Sequence, residues 1–538
     1  MRVPVRSNSE PNLATRLGLA RRLAADRRGV VAVFFALAAV FLVPMTLGLM
    51  DVFTISSQRT RLQDALDTAT LFAARSTAVT TPGVDAVGDK SLTANLVLPV
   101  GVSLVASDFA VSGDLVTGYA EITPSALAPG LWPHDNIRAY SSVVRSLDQL
   151  EIALVLDNTG SMAGTKIATL KSAANNLIDT LVTASARSHA AVPLRVSLVP
   201  FSMTVRVQAT TPTTNYNTVA HSGAGFPTWL DPLGKAHAAA GAAGLYDSFP
   251  SQTDRWAMLK GMNKQPWEGC VESRMPPYDI LETAPNPATP ATMFVPYFWP
   301  DEPDAAAGFS GYPNDYLPDQ SAGTWKVREQ NPSKYTVAPK VGTMASTGYK
   351  YGPNGGCAMQ PIIRLTATTS SIKTAINAMV AVGDTNIPMG MMWGWHTLSP
   401  SAPLADGAPY STPNLRKILI LMTDGDNTMG DPSSNLEQNR SYFSGLAYIW
   451  QNLLGITVGT TAQRNAAMNA RQIALCDNIK AQGIVIYTVR VEVLTGPSPA
   501  LSGCASSADK YYDVQDVHQL DAAFAAIAGS IDSLRISH

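Results

Sequence analysis

Three oxygen-bearing side chains follow an apolar segment at every second position. Residues 152–156 carry no charge and are rich in branched side chains, which is typical of a buried strand. The next residues at this spacing are Asp157, Thr159 and Ser161. Such a row can direct one carboxylate and two hydroxyl groups at a single point, and oxygen ligands suit hard divalent cations. The row therefore predicts a metal site. The alternative is an Asx turn that leads into a helix N-cap and uses the same residues.

The spacing resembles Asp-x-Ser-x-Ser, the signature of the metal-ion-dependent adhesion site in von Willebrand factor type A domains, with Thr159 in place of the first serine. In that family a loop threonine and an aspartate after a later strand complete the site. Thr385 and Asp424 stand in the matching order here. The resemblance implies that Asp157 holds the ion, while the other four supply oxygens directly or through water. It implies Mg²⁺, with Mn²⁺ or Ca²⁺ as alternatives, and one position open to an acidic side chain of a protein partner.

Other residues with potential chemistry form no recognisable catalytic set. The 7 histidines are scattered without metal-ligand spacing. Residues 160–164 do not match the Gly-x-Ser-x-Gly motif of a nucleophile elbow, and no phosphate-binding loop is present. The acidic cluster Asp301, Glu302 and Asp304 lacks the spacing of a calcium-binding loop, so it is predicted to be a solvated turn. The chain is therefore predicted not to be an enzyme.

Strand and helix patterns alternate from residue 150 onward. Short apolar runs predict strands and three-to-four-residue periods predict helices. The predicted strands are 151–156, 194–201, 417–422, 484–490 and 511–514, and the predicted helices are 166–186, 371–380, 463–482 and 517–530. Such alternation predicts an α/β fold with a doubly wound, mainly parallel sheet. The resemblance at Asp157, Thr385 and Asp424 implies that this sheet is of the von Willebrand A type. Ligands of such sheets bind at the carboxyl ends of strands, where Asp157 and Asp424 lie.

The segment 203–370 interrupts this alternation and shows no regular period. It is rich in Pro and Gly and contains five of the 9 tryptophans, namely Trp229, Trp256, Trp267, Trp299 and Trp325. A structureless loop of this length would be unusual, so it is predicted to be a subdomain folded around aromatics and a disulfide. We expect it to lie by the metal face and to select the partner through exposed Trp and Tyr side chains. The alternative is a stabilising element that packs away from the site.

The N-terminal region predicts a membrane anchor. Arginines are concentrated in residues 1–28, and residues 29–50 carry no charge and would span about 33 Å as a helix. A cleavable signal peptide is disfavoured because the apolar run passes directly into another helical pattern. The positive-inside rule places the basic tail in the cytoplasm and the main domain outside the bacterial inner membrane, in the periplasm. The net charge of -2 argues against a nucleic-acid partner.

The predicted order of domains is a basic tail at 1–28, a transmembrane helix at 29–50, a stalk helix at 51–78, a small β-rich region at 79–148 and the main domain at 149–538. The stretch that contains Arg27, Arg28, Gly29, Asp51 and residues 62–69 resembles the N-terminal segment of TadE/TadG-like proteins of the Tad (Flp) pilus-assembly system. Segments 267–274, 294–302 and 355–357 look like the insertion of TadG-type proteins, and segment 393–400, after the Thr385 loop, also looks like that family.

The 4 cysteines suit an exported chain. The first two lie in the long insertion, and the last two lie on a helix and just after the next strand. This order favours the pairs Cys270–Cys357 and Cys476–Cys504. Two other pairings, and four buried free thiols, are the alternatives. Zinc is disfavoured because no Cys-x-x-Cys pair exists and no histidine lies near these cysteines in sequence.

These observations predict a membrane-anchored, extracytoplasmic component of Tad (Flp) pilus assembly that binds other pilus-assembly or envelope proteins through a divalent-metal adhesion site. A surface adhesin or envelope scaffold with the same fold and no pilus role is the alternative. Both interpretations use the same metal site.

Overall fold

The computed structural model describes residues 27–76, 78, 80–112, 115–125, 135–144, 149–186, 188, 190–207, 226–237, 246–249, 253–263, 265–304, 314–318, 322–340, 352–430, 439–493, 496 and 498–534. The chain divides into two compact units, Met1–Arg145 (unit 1) and Ser146–His538 (unit 2). This division lies close to residue 149, where the sequence predicts the start of the main domain.

The described residues of unit 1 form two helices and a three-stranded antiparallel sheet. The helices are α1 (Arg27–Arg75) and α2 (Thr81–Asn95), and the strands, in spatial order, are β1 (Leu104–Ser112), β2 (Leu115–Ile122) and β3 (Ile137–Val144). Side chains at helical spacing on α1 pack against the sheet; they are Leu62, Leu66, Ala69 and Ala73, buried with Phe109 and Val116. The C-terminal half of α1 is therefore the core helix of this unit.

The predicted membrane span and stalk helix form one continuous helix, α1. Apolar side chains in its N-terminal half are exposed; Phe35 and Phe41, for example, are each 76% exposed. The part of α1 from Val33 to Arg75 is long and apolar enough to cross a membrane, by length and composition. An exposed apolar surface of this kind is what a membrane-anchored helix presents.

Helix α2 is an element that the sequence analysis did not predict. Its buried residues are Val84, Gly88, Ser91 and Leu92, so only two of them are large and apolar. Gly88 has to be small, because a Cβ atom there would lie 2.3 Å from Cγ of Phe109. Because the helix packs so closely against the sheet, small residues occupy some of its buried positions. The sequence therefore lacks the periodic large apolar residues that would have predicted a helix here.

Unit 2 is built on a six-stranded sheet with the order β11-β10-β9-β4-β5-β8. The strands are β4 (Gln149–Asp157), β5 (Leu194–Phe201), β8 (Ile363–Thr366), β9 (Leu415–Thr423), β10 (Val485–Val491) and β11 (Tyr511–Val514). All neighbours are parallel except β8, which runs antiparallel to β5. A separate antiparallel pair consists of β6 (Val205–Arg206) and β7 (Cys270–Val271). The predicted mainly parallel α/β fold is confirmed.

The α-helices in the described part of unit 2 are α3 (Thr165–Ser185), α4 (Arg255–Gly261), α5 (Trp325–Glu329), α6 (Thr369–Ala378), α7 (Ile387–Leu398), α8 (Thr461–Ala481), α9 (Pro499–Cys504) and α10 (Leu520–Leu534). Single 3₁₀ turns lie at Gly160–Met162, Tyr278–Ile280, Pro290–Thr292, Pro332–Lys334, Ile449–Gln451, Ala508–Lys510 and Val517–Gln519.

Helices cover both faces of the sheet. Successive side chains of a strand point to opposite faces, so each buried strand serves two cores. Leu154 and Leu156 of β4 pack with residues of α3, α6 and α10. Val155, between them, packs with residues of α7, α8 and α9. This double covering explains the continuous apolar run that the sequence shows at 152–156.

The insertion is shorter than predicted and most of its tryptophans are not surface residues. Strand β8 lies inside the predicted range 203–370 but forms an edge of the main sheet. Trp229 contacts Trp393 of α7, with ring centroids 5.7 Å apart. Trp256, Trp267 and Trp299 are also buried, and only Trp325 is half-buried. The expectation of exposed Trp anchors is therefore wrong for the four buried tryptophans. Trp229, Trp256 and Trp267 belong to the core beside α7, and Trp299 belongs to the core that contains Cys270 and Cys357.

In the acidic cluster after Trp299, Asp301 and Glu302 are buried and Asp304 is half-buried, which corrects the prediction of a solvated turn. An Asp301 carboxylate oxygen lies 2.7 Å from Nζ of Lys334. Glu302 accepts hydrogen bonds from the Tyr448 hydroxyl at 2.6 Å and from the Asn314 backbone N–H at 2.8 Å. These partners are distant in sequence, so local spacing carries no sign of them. Burial raises the pKa of Asp301 to about 6 and that of Glu302 to about 7.

Both predicted disulfides are present. Cys270 of β7 is joined to Cys357, and Cys476 of α8 is joined to Cys504 of α9. No cysteine remains free. The first bond holds the insertion to the segment that leads into β8, and the second holds two helices on the same face of the sheet.

Candidate metal site

Asp157 is held at the carboxyl end of β4 by two hydrogen bonds. Its Oδ1 accepts from the backbone N–H of Thr159 at 2.8 Å, and its Oδ2 accepts from Oγ1 of Thr423 at 2.6 Å. The side chain is completely buried. The bond from the N–H two residues ahead is that of an Asx turn. The Asx turn given above as the alternative to a metal site is therefore present in these residues. The turn does not exclude a metal, because a carboxylate oxygen has a second lone pair.

The hydroxyl groups of Thr159 and Ser161 extend the cluster toward Asp424. Their oxygens lie 2.9 Å apart, and Oγ of Ser161 donates to Oδ1 of Asp424 at 2.7 Å. Thr159 is buried whereas Ser161 is exposed, so the cluster opens to the surface at the serine. The structure thus joins four of the five predicted residues in one hydrogen-bonded group at the ends of β4 and β9.

Thr385 lies on a loop that is bonded to this turn through the backbone. The N–H of Gly160 donates to the carbonyl of Gly383 at 2.9 Å, and the N–H of Val382 donates to the carbonyl of Asn158 at 2.7 Å. Thr385 is buried, and its own carbonyl accepts from the N–H of Thr428 at 2.8 Å. Among the hydrogen bonds of the described residues, none joins its hydroxyl directly to the other four predicted ligands. Its place as a ligand remains a prediction.

The electrostatics of the site leave it with excess negative charge. Burial, followed by the nearby Asp424 carboxylate, raises the pKa of Asp157 to about 6. Nζ of Lys166 lies 2.8 Å from Oδ2 of Asp424 and neutralises part of this charge. The two carboxylates of the site are therefore accompanied by one ammonium group, which contacts Asp424. A divalent cation would relieve the remaining repulsion, which is the physical reason to consider a metal here.

The donor set fits a hard divalent cation. Two carboxylates and two hydroxyl groups within one hydrogen-bonded cluster are oxygen ligands of the type that Mg²⁺ and Ca²⁺ take. The described residues contain no group of three or more His, Cys, Asp or Glu side chains that could hold a metal. This site has only two such residues, so any ion here would depend on hydroxyl, backbone or water oxygens in addition.

Two residues of the site were missed by the sequence analysis. Thr423 directly follows the predicted strand 417–422 and was given no role, although its position beside Asp424 was a signal that it faces the strand-end cluster. Lys166 was seen only as the start of a helix. Its contact with Asp424 crosses 258 positions of the chain and has no local signature.

Comparison with known proteins gives one match to a family model. Residues 29–76 match the model described as putative Flp pilus-assembly TadE/G-like. The N-terminal segment of this chain is therefore similar to TadE/G-like proteins. The TadE/G-like segment comprises most of α1 and ends before α2, so it lies entirely in unit 1. No match was found among curated proteins.

Several solved structures share remote similarity with the chain. The von Willebrand factor domain of the type V pili tip protein Mfa5 from Porphyromonas gingivalis has 10% identity and a TM-score of 0.31, covering 73% of this chain and 97% of that one. The adhesive tip pilin GBS104 from Group B Streptococcus agalactiae has 10% identity and a TM-score of 0.30, covering 81% and 70%.

Proximal thread matrix protein 1 from the mussel byssus, in a structure with a zinc-occupied MIDAS motif, has 11% identity and a TM-score of 0.27, covering 72% of this chain and 47% of that one.

Proposed function

We propose that this chain is a membrane-anchored component of Tad (Flp) pilus assembly that binds a protein partner through a divalent cation in unit 2. The cation, Mg²⁺ with Mn²⁺ or Ca²⁺ as alternatives, would be held by Asp157, Thr159, Ser161, Thr385 and Asp424. The single observation that carries the proposal is the hydrogen-bonded cluster that joins Asp157, Thr159 and Ser161 at the end of β4 to Asp424 at the end of β9.

Each residue has a role that follows from its contacts. Asp157 is buried and fixed by two donors, so it presents its charge without a cost of ordering the side chain. Ser161 is exposed and lies where the cluster meets solvent. When bound, the ion would supply a Lewis-acidic position that accepts an oxygen of a partner's carboxylate. Because few protein charges face the ion, it would stay electrophilic enough to hold that acidic side chain.

The membrane placement rests on α1 and on the basic segment before it. The exposed apolar half of α1 suits a lipid environment, and the arginines of residues 1–28 favour a cytoplasmic N-terminus by the positive-inside rule. Unit 2 would then lie in the periplasm, beyond the inner membrane. The match at 29–76 favours a role in pilus assembly over the second candidate, a surface adhesin or envelope scaffold without a pilus role.

The proposal is tested by capturing envelope proteins on the full chain in detergent, with Mg²⁺ and with a chelator. We expect a partner to be retained in Mg²⁺ and released by the chelator, and we expect Asp157→Asn to lose it under both conditions. Asp179→Asn is the matched control, because Asp179 pairs with Lys373 on the surface of α3. Equal capture by all three proteins with and without chelator would refute the proposed mechanism.

A further inference from the structure

Lys166 places a positive charge against the candidate metal ligands. It lies in the first turn of α3, and its Nζ is 2.8 Å from Oδ2 of Asp424 and 4.0 Å from Oε2 of Glu492. The side chain of Asp424 is fully buried, whereas those of Lys166 and Glu492 are 25% and 32% exposed. The strongest contact of the ammonium group is thus with a carboxylate of the site itself.

The fold fixes this contact from both sides. Asp424 and Glu492 directly follow β9 and β10, which are adjacent parallel strands, so both acidic groups lie at the same edge of the sheet. Gly164, with φ +82°, turns the chain so that α3 begins beside them. The other oxygen of Asp424 accepts from Ser161. One carboxylate therefore links a candidate metal-ligand hydroxyl to the ammonium group.

The charges of the site indicate how the ammonium group of Lys166 should affect binding of the cation. Asp157 and Asp424 contribute two negative charges and Lys166 one positive charge, so the cluster is net negative by one. A divalent ion brings the total to plus one, whereas without Lys166 the total would be zero. Glu492 is a more distant acidic neighbour of the same ammonium group. Counting its charge lowers each of these totals by one, so Lys166 still makes the site one unit more positive with or without the ion.

We propose that Lys166 sets the charge balance of the site: it lowers the affinity for the divalent cation and raises the affinity of the loaded site for an acidic side chain. This inference rests on the proposed function. The ammonium group competes with the ion for Asp424, so the empty site is stabilised by an internal cation. Once the ion is bound, the same group makes the site one unit more positive than it would be without Lys166, and this favours a carboxylate. The two effects have opposite signs.

A purely structural ion pair would behave differently. If Lys166 only holds α3 to β9, its removal would loosen the site and weaken both binding steps, or leave both unchanged. The opposite effects on cation and carboxylate are therefore the property to measure. Both can be measured without reference to any biological activity.

The experiment uses the full chain in detergent and isothermal titration with Mg²⁺. We expect Lys166→Met and Lys166→Gln to lower the Kd for Mg²⁺ about fivefold or more, since a unit charge close to the ion is removed. Lys166→Arg should keep the unmodified value. Lys171→Met is the matched control, because Lys171 lies on the same helix and donates to the carbonyl of Asn377, at 3.0 Å, instead of to a residue of the site. Its Kd should not change.

The second step is measured with acetate as the carboxylate probe and Mn²⁺ as the ion. Acetate that displaces water from the bound Mn²⁺ lowers the enhancement of water-proton relaxation. We expect the neutral variants to need about fivefold more acetate than the unmodified protein. Mg²⁺ binding that is equal or weaker in both neutral variants, or their failure to fold, would overturn the inference alone. A lack of Mg²⁺ binding by the unmodified protein would overturn the proposed function as well.

Discussion

The hydroxyl of Thr423 donates a 2.6 Å hydrogen bond to Oδ2 of Asp157, although the two residues are 266 positions apart. Thr423 is the last residue of β9 and Asp157 is the last residue of β4. These strands are adjacent and parallel, so the two residues lie at the same edge of the sheet. Thr423 also receives the N–H of Gly425 on its hydroxyl oxygen, at 3.2 Å. The threonine is therefore a positioning residue: it orients the buried carboxylate and shapes the turn that carries Asp424.

Replacement of this threonine should separate positioning from folding. Thr423→Val keeps the shape of the side chain but removes the donor, so Asp157 loses one of its two fixed bonds. We expect the Kd for Mg²⁺ to rise several-fold and the free energy of unfolding to fall by about 1–3 kcal/mol. Thr488→Val is the control, because that buried threonine of β10 donates to the carbonyl of Leu501. It should lower stability and leave Mg²⁺ binding unchanged. Equal Mg²⁺ affinities in both variants would contradict the positioning role.

The pKa of Asp157 predicts how the stability of the metal-free protein depends on pH. Burial and the Asp424 carboxylate raise this pKa from 3.8 to about 6, so the folded state holds a proton that the unfolded state releases. The stability from this group is complete below 3.8 and is lost as the pH rises through about 6.

Between pH 5 and pH 8 the loss should be about 1.4 kcal/mol. Unfolding in chelator at both pH values, with Asp157→Asn as the reference that cannot titrate, measures it. Parallel stabilities of the two proteins across this range would show that the carboxylate is not perturbed.

The parts of the fold that local pattern determines were predictable from sequence. Strand β5 has the predicted bounds 194–201, because a buried parallel strand is a compact apolar run. Asp157, Thr159 and Ser161 were found for a similar reason, since their geometry comes from one strand and one turn. Lys166 and Thr423 could not be assigned, because their contacts depend on which strands become neighbours. The apolar residues of α2 are too few to give a period.

The tryptophans of the insertion show a different limit of sequence reasoning. An aromatic-rich, Pro-rich and Gly-rich segment has the composition of a recognition surface and equally that of an irregular core. In the structure Trp229 belongs to the core, and its ring contacts the rings of both Phe294 and Trp393. The burial of Trp229 depends on the facing helix α7, which lies outside the insertion. The composition of the insertion alone therefore does not indicate it.

The burial of Trp229 makes a stability prediction. Trp229→Ala should lower the free energy of unfolding by about 3–5 kcal/mol, because it leaves a cavity against α7. Trp325→Ala is the comparison: that side chain is half-buried and contacts Trp450 at a centroid distance of 6.3 Å, so its removal should cost less. Thermal unfolding of both variants measures the difference. Unchanged stability of Trp229→Ala together with lost partner binding would restore the surface interpretation.

The membrane orientation can be tested independently of the metal. A reporter enzyme that is active only outside the cytoplasm, fused after Arg75, should be active, since the arginines before residue 29 favour the cytoplasmic side. The same reporter fused after residue 28 should be inactive and serves as the control. Activity of the second fusion and not of the first would reverse the topology and place unit 2 in the cytoplasm.

The most direct test of the account is the binding of Mg²⁺ to the full chain, measured by isothermal titration after chelator treatment. The proposed site predicts one ion per chain for the unmodified protein and for Asp179→Asn, whose carboxylate pairs with Lys373 on the surface. It predicts no binding for Asp157→Asn that remains folded by thermal unfolding. Equal Mg²⁺ binding by the unmodified protein and folded Asp157→Asn, or no binding by either, would contradict the central claim.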